Sequence, residues 1–287
     1  MTGLFNTWAA INRGEGPINP DGLIVDASAI FRPGNFVSSP QNPLPLKKPA
    51  GKYSTKRFDF GKRDIERLRN YCYHPSEHRR FPSRVEALSA FIWAAVIRAI
   101  LQANPNRKTH LLGNMVNLRK KFNPPFPSQC LGNIYQAVAA RWESEADGGE
   151  SVTAGFLVGR VAEAMDKITD DYVREMYVEG GFLRVVSDLI KALHNADEIN
   201  VFSISNILCN ITFSQVDFGW GKLMWIGLGH TLENSAVFMD AEDEGVEVWI
   251  GLTQEVMCNL DKDMEFHAYM SFSQIVSEPS CPLRSAL

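Results

Sequence analysis

A mixed α/β fold, in which a mixed sheet is covered by helices, is what the sequence predicts. Three observations carry it. Strand-like and helix-like stretches interleave irregularly along the chain, there is no internal repeat, and the 287 residues have an ordinary globular composition of 45% hydrophobic, 22% charged and 10% aromatic residues. A regular alternation would instead suggest a doubly wound parallel sheet.

The elements follow in order. Leu4, Phe5, Trp8, Ala9 and Ile11 fall near helical spacing and predict a short amphipathic helix over 3–12. Residues 14–52 hold seven of the fifteen prolines, so no long helix fits and the stretch reads as a surface crossover between two bodies. Ser54–Phe60 reads as a strand ended by Gly61, and Lys62–Cys72 as a helix. Ser83–Leu101 reads as a stronger helix: Ser83 is an N-cap residue, and Glu86 three positions on completes a capping box. Thr109–Leu118 and Ile134–Arg141 read as strands, Ser151–Lys167 and Asp170–His194 as helices, with a break at Gly180 and Gly181. Asn200–Asn206, Leu223–Leu228, Ser235–Met239 and Val246–Leu252 read as strands, the last two forming a hairpin about Asp240–Gly245. Gln254–Leu260 begins a final helix.

Several function classes drop out. A net charge of −4 argues against nucleic-acid binding, which needs a basic face to displace counterions from phosphates. The longest apolar run, Ala87–Leu101, is about 22 Å as a helix, is interrupted by Arg98, and is too short to span a bilayer. Cys72, Cys130, Cys209, Cys258 and Cys281 are odd in number and widely spaced, which fits free thiols in a reducing compartment, with the cytosol as the expected location.

Catalytic signatures are sparse. There is no G-x-S-x-G, P-loop or H-E-x-x-H. His194 and Glu198 are four apart, but a cation is favoured at a helix end on dipole grounds alone. Asp240, Glu242, Asp243 and Glu244 do not follow calcium-loop spacing and read as a solvated turn. His74, His78, His110, His230 and His267 stand without a sequence partner. No metal site and no catalytic residue is expected from these.

The run Asp217, Phe218, Gly219, Trp220, Gly221, Lys222 is unusual, an acid among aromatics and glycines. Such an acid needs a cation or several donors. A structural corner is the favoured reading, with a catalytic acid as the alternative. Arg119, at the end of an apolar strand, is the expected partner of Asp217, and Lys222 is its rival.

This DFGWGK run resembles the signature of the plant BAHD acyltransferases, most closely the vinorine synthase-like branch. Trp8-Ala9-Ala10 with Arg13-Gly14, Ser83–Trp93, Asn117-Leu118-Arg119 followed by Asn123-Pro124-Pro125, Gly132-Asn133 and Val237–Leu252 resemble other family segments in the same order. The resemblance implies two domains, each like chloramphenicol acetyltransferase, of which this chain holds the second. Residues 1–13 would then be a helix left from a first domain, 14–52 the crossover, and 53–287 the C-terminal acyltransferase domain. It also implies acyl-CoA as co-substrate with no permanently bound cofactor, a small alcohol as acceptor, no nucleic-acid or membrane partner, and a monomeric intact enzyme. Ser83 and Arg84 become candidate CoA contacts, and a helix N-terminus beside a basic residue suits a phosphate, although Ser83 reads equally as a plain cap.

Three departures stand out. The family's H-x-x-x-D motif, whose histidine is the general base, is absent, and family spacing places it just ahead of Met1. Asn206-Ile207-Leu208 stands where Thr-Ser-Trp is often found. Leu223 stands where a proline usually follows the lysine. The expectation is the C-terminal part of an enzyme that acylates the hydroxyl of a plant specialised metabolite, O-acetylation of an alkaloid or terpenoid alcohol being favoured. The alternative is a truncated, non-catalytic module that at most binds CoA or a partner.

Overall fold

A computed structural model describes residues 2–16, 51–76, 78–126, 130, 132, 134–144, 152–176, 199–206, 216–221, 223, 226–241 and 244–270. Most of the crossover, the helix expected over 177–194 with its break, and His194, Glu198, Ile207, Leu208, Cys209, Lys222 and Cys281 lie outside these.

Six strands form one mixed sheet: β1 (Tyr53–Phe60), β2 (Thr109–Asn117), β3 (Tyr135–Glu143), β4 (Ile199–Asn206), β5 (Ser235–Asp240) and β6 (Val246–Thr253), in the order β1-β6-β5-β4-β2-β3. β4 runs parallel to both β2 and β5, and the other pairs are antiparallel. The helices are α1 (Thr2–Asn12), α2 (Lys62–Cys72), α3 (Arg84–Ala103), α4 (Ala154–Asp166), α5 (Asp170–Met176), α6 (Gln254–Leu260) and α7 (Met264–Ala268).

Period-two alternation explains how the sheet is covered. Leu112, Phe202, Phe238 and Ile250 share one face, and α2, α3, α4, α6 and α7 bury their apolar sides against it. At the centre lies α3, with Leu88, Phe91, Ile92, Trp93 and Ile97 at most 1% exposed. It alone among the described helices is apolar and long enough to cross a membrane, and it is the core helix here. A helix apolar on nearly every side is stable in water only when surrounded in this way.

The opposite face carries smaller clusters. Leu232, Val237 and Met239 pack with Ile226, Leu228 and Trp249. This corrects the strand expected over Leu223–Leu228: residues 223 and 226–228 join no strand. Ile226 and Leu228 are apolar because they lie on the sheet, not because they extend it. Gly251 permits the close approach, since a Cβ there would stand 2.2 Å from the Leu232 carbonyl oxygen.

Candidate functional site

Two charged or aromatic groupings contain the residues singled out by sequence. The first is the start of α3. The Ser83 hydroxyl accepts from the Glu86 N–H at 3.3 Å, and the Ser83 N–H donates to the Glu86 carboxylate at 2.7 Å, so both halves of the capping box form. Glu86 is buried, 3% exposed. Arg80 closes over it with a two-pronged pair at 2.8 and 2.6 Å, and also reaches Asp166 on α4 at 2.8 Å. Burial pushes the Glu86 carboxyl up, but the Arg80 fork and the Ser83 donors outweigh it and hold it below its ordinary value. Arg84 donates to the Asp240 carboxylate at 3.0 Å and to the Glu244 carbonyl at 3.2 Å, while Lys62 pairs with Glu244 at 2.8 Å. The acidic turn between β5 and β6 is thus drawn to the basic starts of α2 and α3.

The second grouping joins α1 to the aromatic run. The Asp217 carboxylate accepts from the N–H groups of Gly219 and Gly221 at 2.8 and 3.1 Å. Those amides can converge because Gly219 and Gly221 adopt φ of +103° and +114°, a region that favours glycine. Asn12 donates to the Phe218 carbonyl at 2.7 Å, and Arg13 donates to the Asp217 carbonyl while its other donors hold Glu15. Trp8 meets Phe218 edge-on at 5.1 Å, and Phe218 stacks on Trp220 at 5.7 Å. Trp220 is 80% exposed and Trp8 58%.

The expected partnership of Asp217 with Arg119 is overturned. The Arg119 guanidinium donates to the Cys130 carbonyl at 2.8 Å, to the Gly132 carbonyl at 2.9 Å and to Asn117 at 3.4 Å, bracing the loop after β2. Asp217 is only partly buried and takes backbone donors from its own turn. The desolvation cost that seemed to require an arginine does not arise there. The nearby cation is Arg13, whose interaction with Asp217 helps to raise its own pKa after the dominant effect of Glu15. Arg13 entered the sequence reading only as part of a resemblance, and Arg80 not at all; a glutamate buried at a helix start is the signal that calls for such a cation.

The described histidines lack the arrangement of a general base. His110 is buried against Trp142, its ring 3.0 Å from the Arg107 carbonyl, and burial pushes its pKa down to about 4. His267 bonds the Asp261 carbonyl, and the His78 ring accepts from the His74 N–H. Among the described residues no histidine is hydrogen-bonded to a carboxylate, and no cluster could hold a metal. Cys72 is buried and its thiol is pushed up to about 12, which leaves no thiolate nucleophile there.

A mixed sheet with helices banked on one face, a glycine turn carrying stacked aromatics and a basic helix start together define an acyltransferase-like α/β class. Residues 1–267 match the Transferase family, and the chain belongs to it, in the BAHD group of acyltransferases. Similar proteins include limonoid 1-O-acetyltransferase of Citrus sinensis, 30% identical over 93% of this chain and 61% of that protein. Limonoid 21-O-acetyltransferase of Melia azedarach is 32% identical over 93% and 60%. The crystal structure of vinorine synthase superposes with a TM-score of 0.69 at 26% identity, covering 94% of this chain and 59% of that one. The Fusarium sporotrichioides protein TRI101, solved with coenzyme A and T-2, shares the fold at 15% identity and a TM-score of 0.65, over 94% and 63%. The chain spans about three fifths of the length of the curated relatives it matches.

Proposed function

We propose that this protein is an acyl-CoA-dependent O-acyltransferase, in which residues 53–287 form the second domain, 14–52 the crossover and 1–13 a helix belonging to a first domain. The family match over residues 1–267 carries this reading. The acceptor is a hydroxyl of a plant specialised metabolite and the transferred group is acetyl, because the limonoid relatives are named as O-acetyltransferases. The enzyme works as a cytosolic monomer.

Acyl-CoA binds at the start of α3. The N–H groups of a helix's first turn and its positive dipole end favour a phosphate, and Lys62, Arg80 and Arg84 gather cations there. Ser83 keeps its capping role, and Arg84 exchanges Asp240 for a CoA phosphate. The general base comes from outside these 287 residues, which contain no H-x-x-x-D. That absence favours a second reading, a non-catalytic module that binds CoA or a partner. An open reading frame upstream encoding the motif decides for the enzyme.

The CoA site is tested by calorimetric titration of acetyl-CoA into the chain. Saturable binding is expected, weakened about tenfold in Arg84→Glu, equivalent to about 1.4 kcal/mol. Absence of binding, or equal affinity in the variant, refutes the placement.

A further inference from the structure

At the far end of α3, about 30 Å from Ser83 along its 20 residues, the sheet is stepped. β4 pairs with β2 from Ile199 onward, but its pairing with β5 begins only at Ser203 and Ser235. The first residues of β4 therefore project past the start of β5. A cavity of about 330 Å³ fills this step, between the end of α3, the starts of β4 and β5, and the junction of β6 with α6. That volume lies at the lower end of the range for small-molecule sites, about 300–1,000 Å³.

Its lining is divided. Ile100, Val201 and Val256 supply an apolar wall, while Arg107, Asn200 and Glu255 also line it. The Asn200 side-chain amide nitrogen is buried and has no hydrogen-bond partner. A donor removed from water and left unmatched is costly, and native structures rarely keep one without a ligand or an ordered water. An acceptor in the cavity would satisfy it.

We propose that this cavity binds a small monocarboxylate with a short hydrocarbon body. The carboxylate accepts from Asn200 and faces the permanently charged Arg107, and the hydrocarbon lies on the apolar wall. Glu255 is exposed at the rim and selects against a second negative charge. The site is separate from the start of α3 and does not depend on the acyltransferase reading.

The test follows the Asn200 side-chain amide signals of the ¹⁵N-labelled chain during titration with isovalerate, hexanoate and succinate. Isovalerate and hexanoate should shift them saturably. Affinity for both should fall about tenfold in Arg107→Gln and in Asn200→Asp, which keeps the shape and removes the donor; for Asn200→Asp the backbone amides of residues 201 and 202 serve as the reporter. No saturable shift up to about 50 mM, weaker than any useful affinity, means the cavity holds water only. Unchanged affinity in both folded variants, or succinate binding as tightly as isovalerate, also overturns the proposal.

Discussion

Replacing Arg80 with alanine should destabilise the protein by about 3 kcal/mol, read as a shift of the urea midpoint at constant m. The wild-type arginine is 44% exposed along its side chain, but the carboxylate it closes over is 4% exposed. Removing one member of such a pair leaves a charge in the core with no counter-charge, which typically costs about 3–5 kcal/mol. The low end applies because the two Ser83 donors remain on Glu86. Arg80→Lys should recover part of the loss, since a lysine keeps the charge but not the fork that meets both carboxylate oxygens and Asp166. A loss below about 0.5 kcal/mol, the ordinary size of a surface substitution, would show that the pair is not structural.

The protein should also lose about 3 kcal/mol between pH 6.5 and 4 through His110. The folded state holds this ring neutral by burial, with a pKa near 4 against an ordinary 6.5. The unfolded chain therefore binds a proton that the folded chain refuses across that window. The stabilisation is full above pH 6.5 and falls by about 1.4 kcal/mol per pH unit as the pH drops toward 4. Glu86, held below its ordinary pKa, adds a loss of the same sign at lower pH. In His110→Phe the bond to the Arg107 carbonyl is gone and overall stability falls, but the slope between pH 6.5 and 4 should flatten. An unchanged slope would place the acid sensitivity elsewhere.

Local signals in the sequence were reliable where a side chain interacts with its own element. Ser83 and Glu86 mark the start of α3 because a capping box closes within four residues, and Lys62–Cys72 is bounded as expected. Signals that depend on distant partners were not. Ile226 and Leu228 have strand-like composition, yet it serves to cover β5 and β6. α7 is five residues long, too short to show a period, and is marked only by the Asp263 cap. The Asp217 turn was legible as special, but not its partners: glycine φ angles bring backbone donors to the carboxylate, and Arg13 arrives from 204 residues away. The cavity beside Asn200 arises from an offset between β4 and β5, which no single segment encodes.

The central claim is that this chain carries an acyltransferase's CoA-binding domain but not its base. It is tested most directly by CoA-thiol release from acetyl-CoA with limonoid and alkaloid alcohols. The 287-residue chain should give no turnover above the buffer blank, because a positioned general base alone contributes about 10²- to 10⁴-fold. The same chain continued at its N-terminus by a relative's segment bearing H-x-x-x-D should turn over, and stop when that histidine is replaced. Turnover by the 287-residue chain alone that disappears on changing one of its six histidines would contradict the claim.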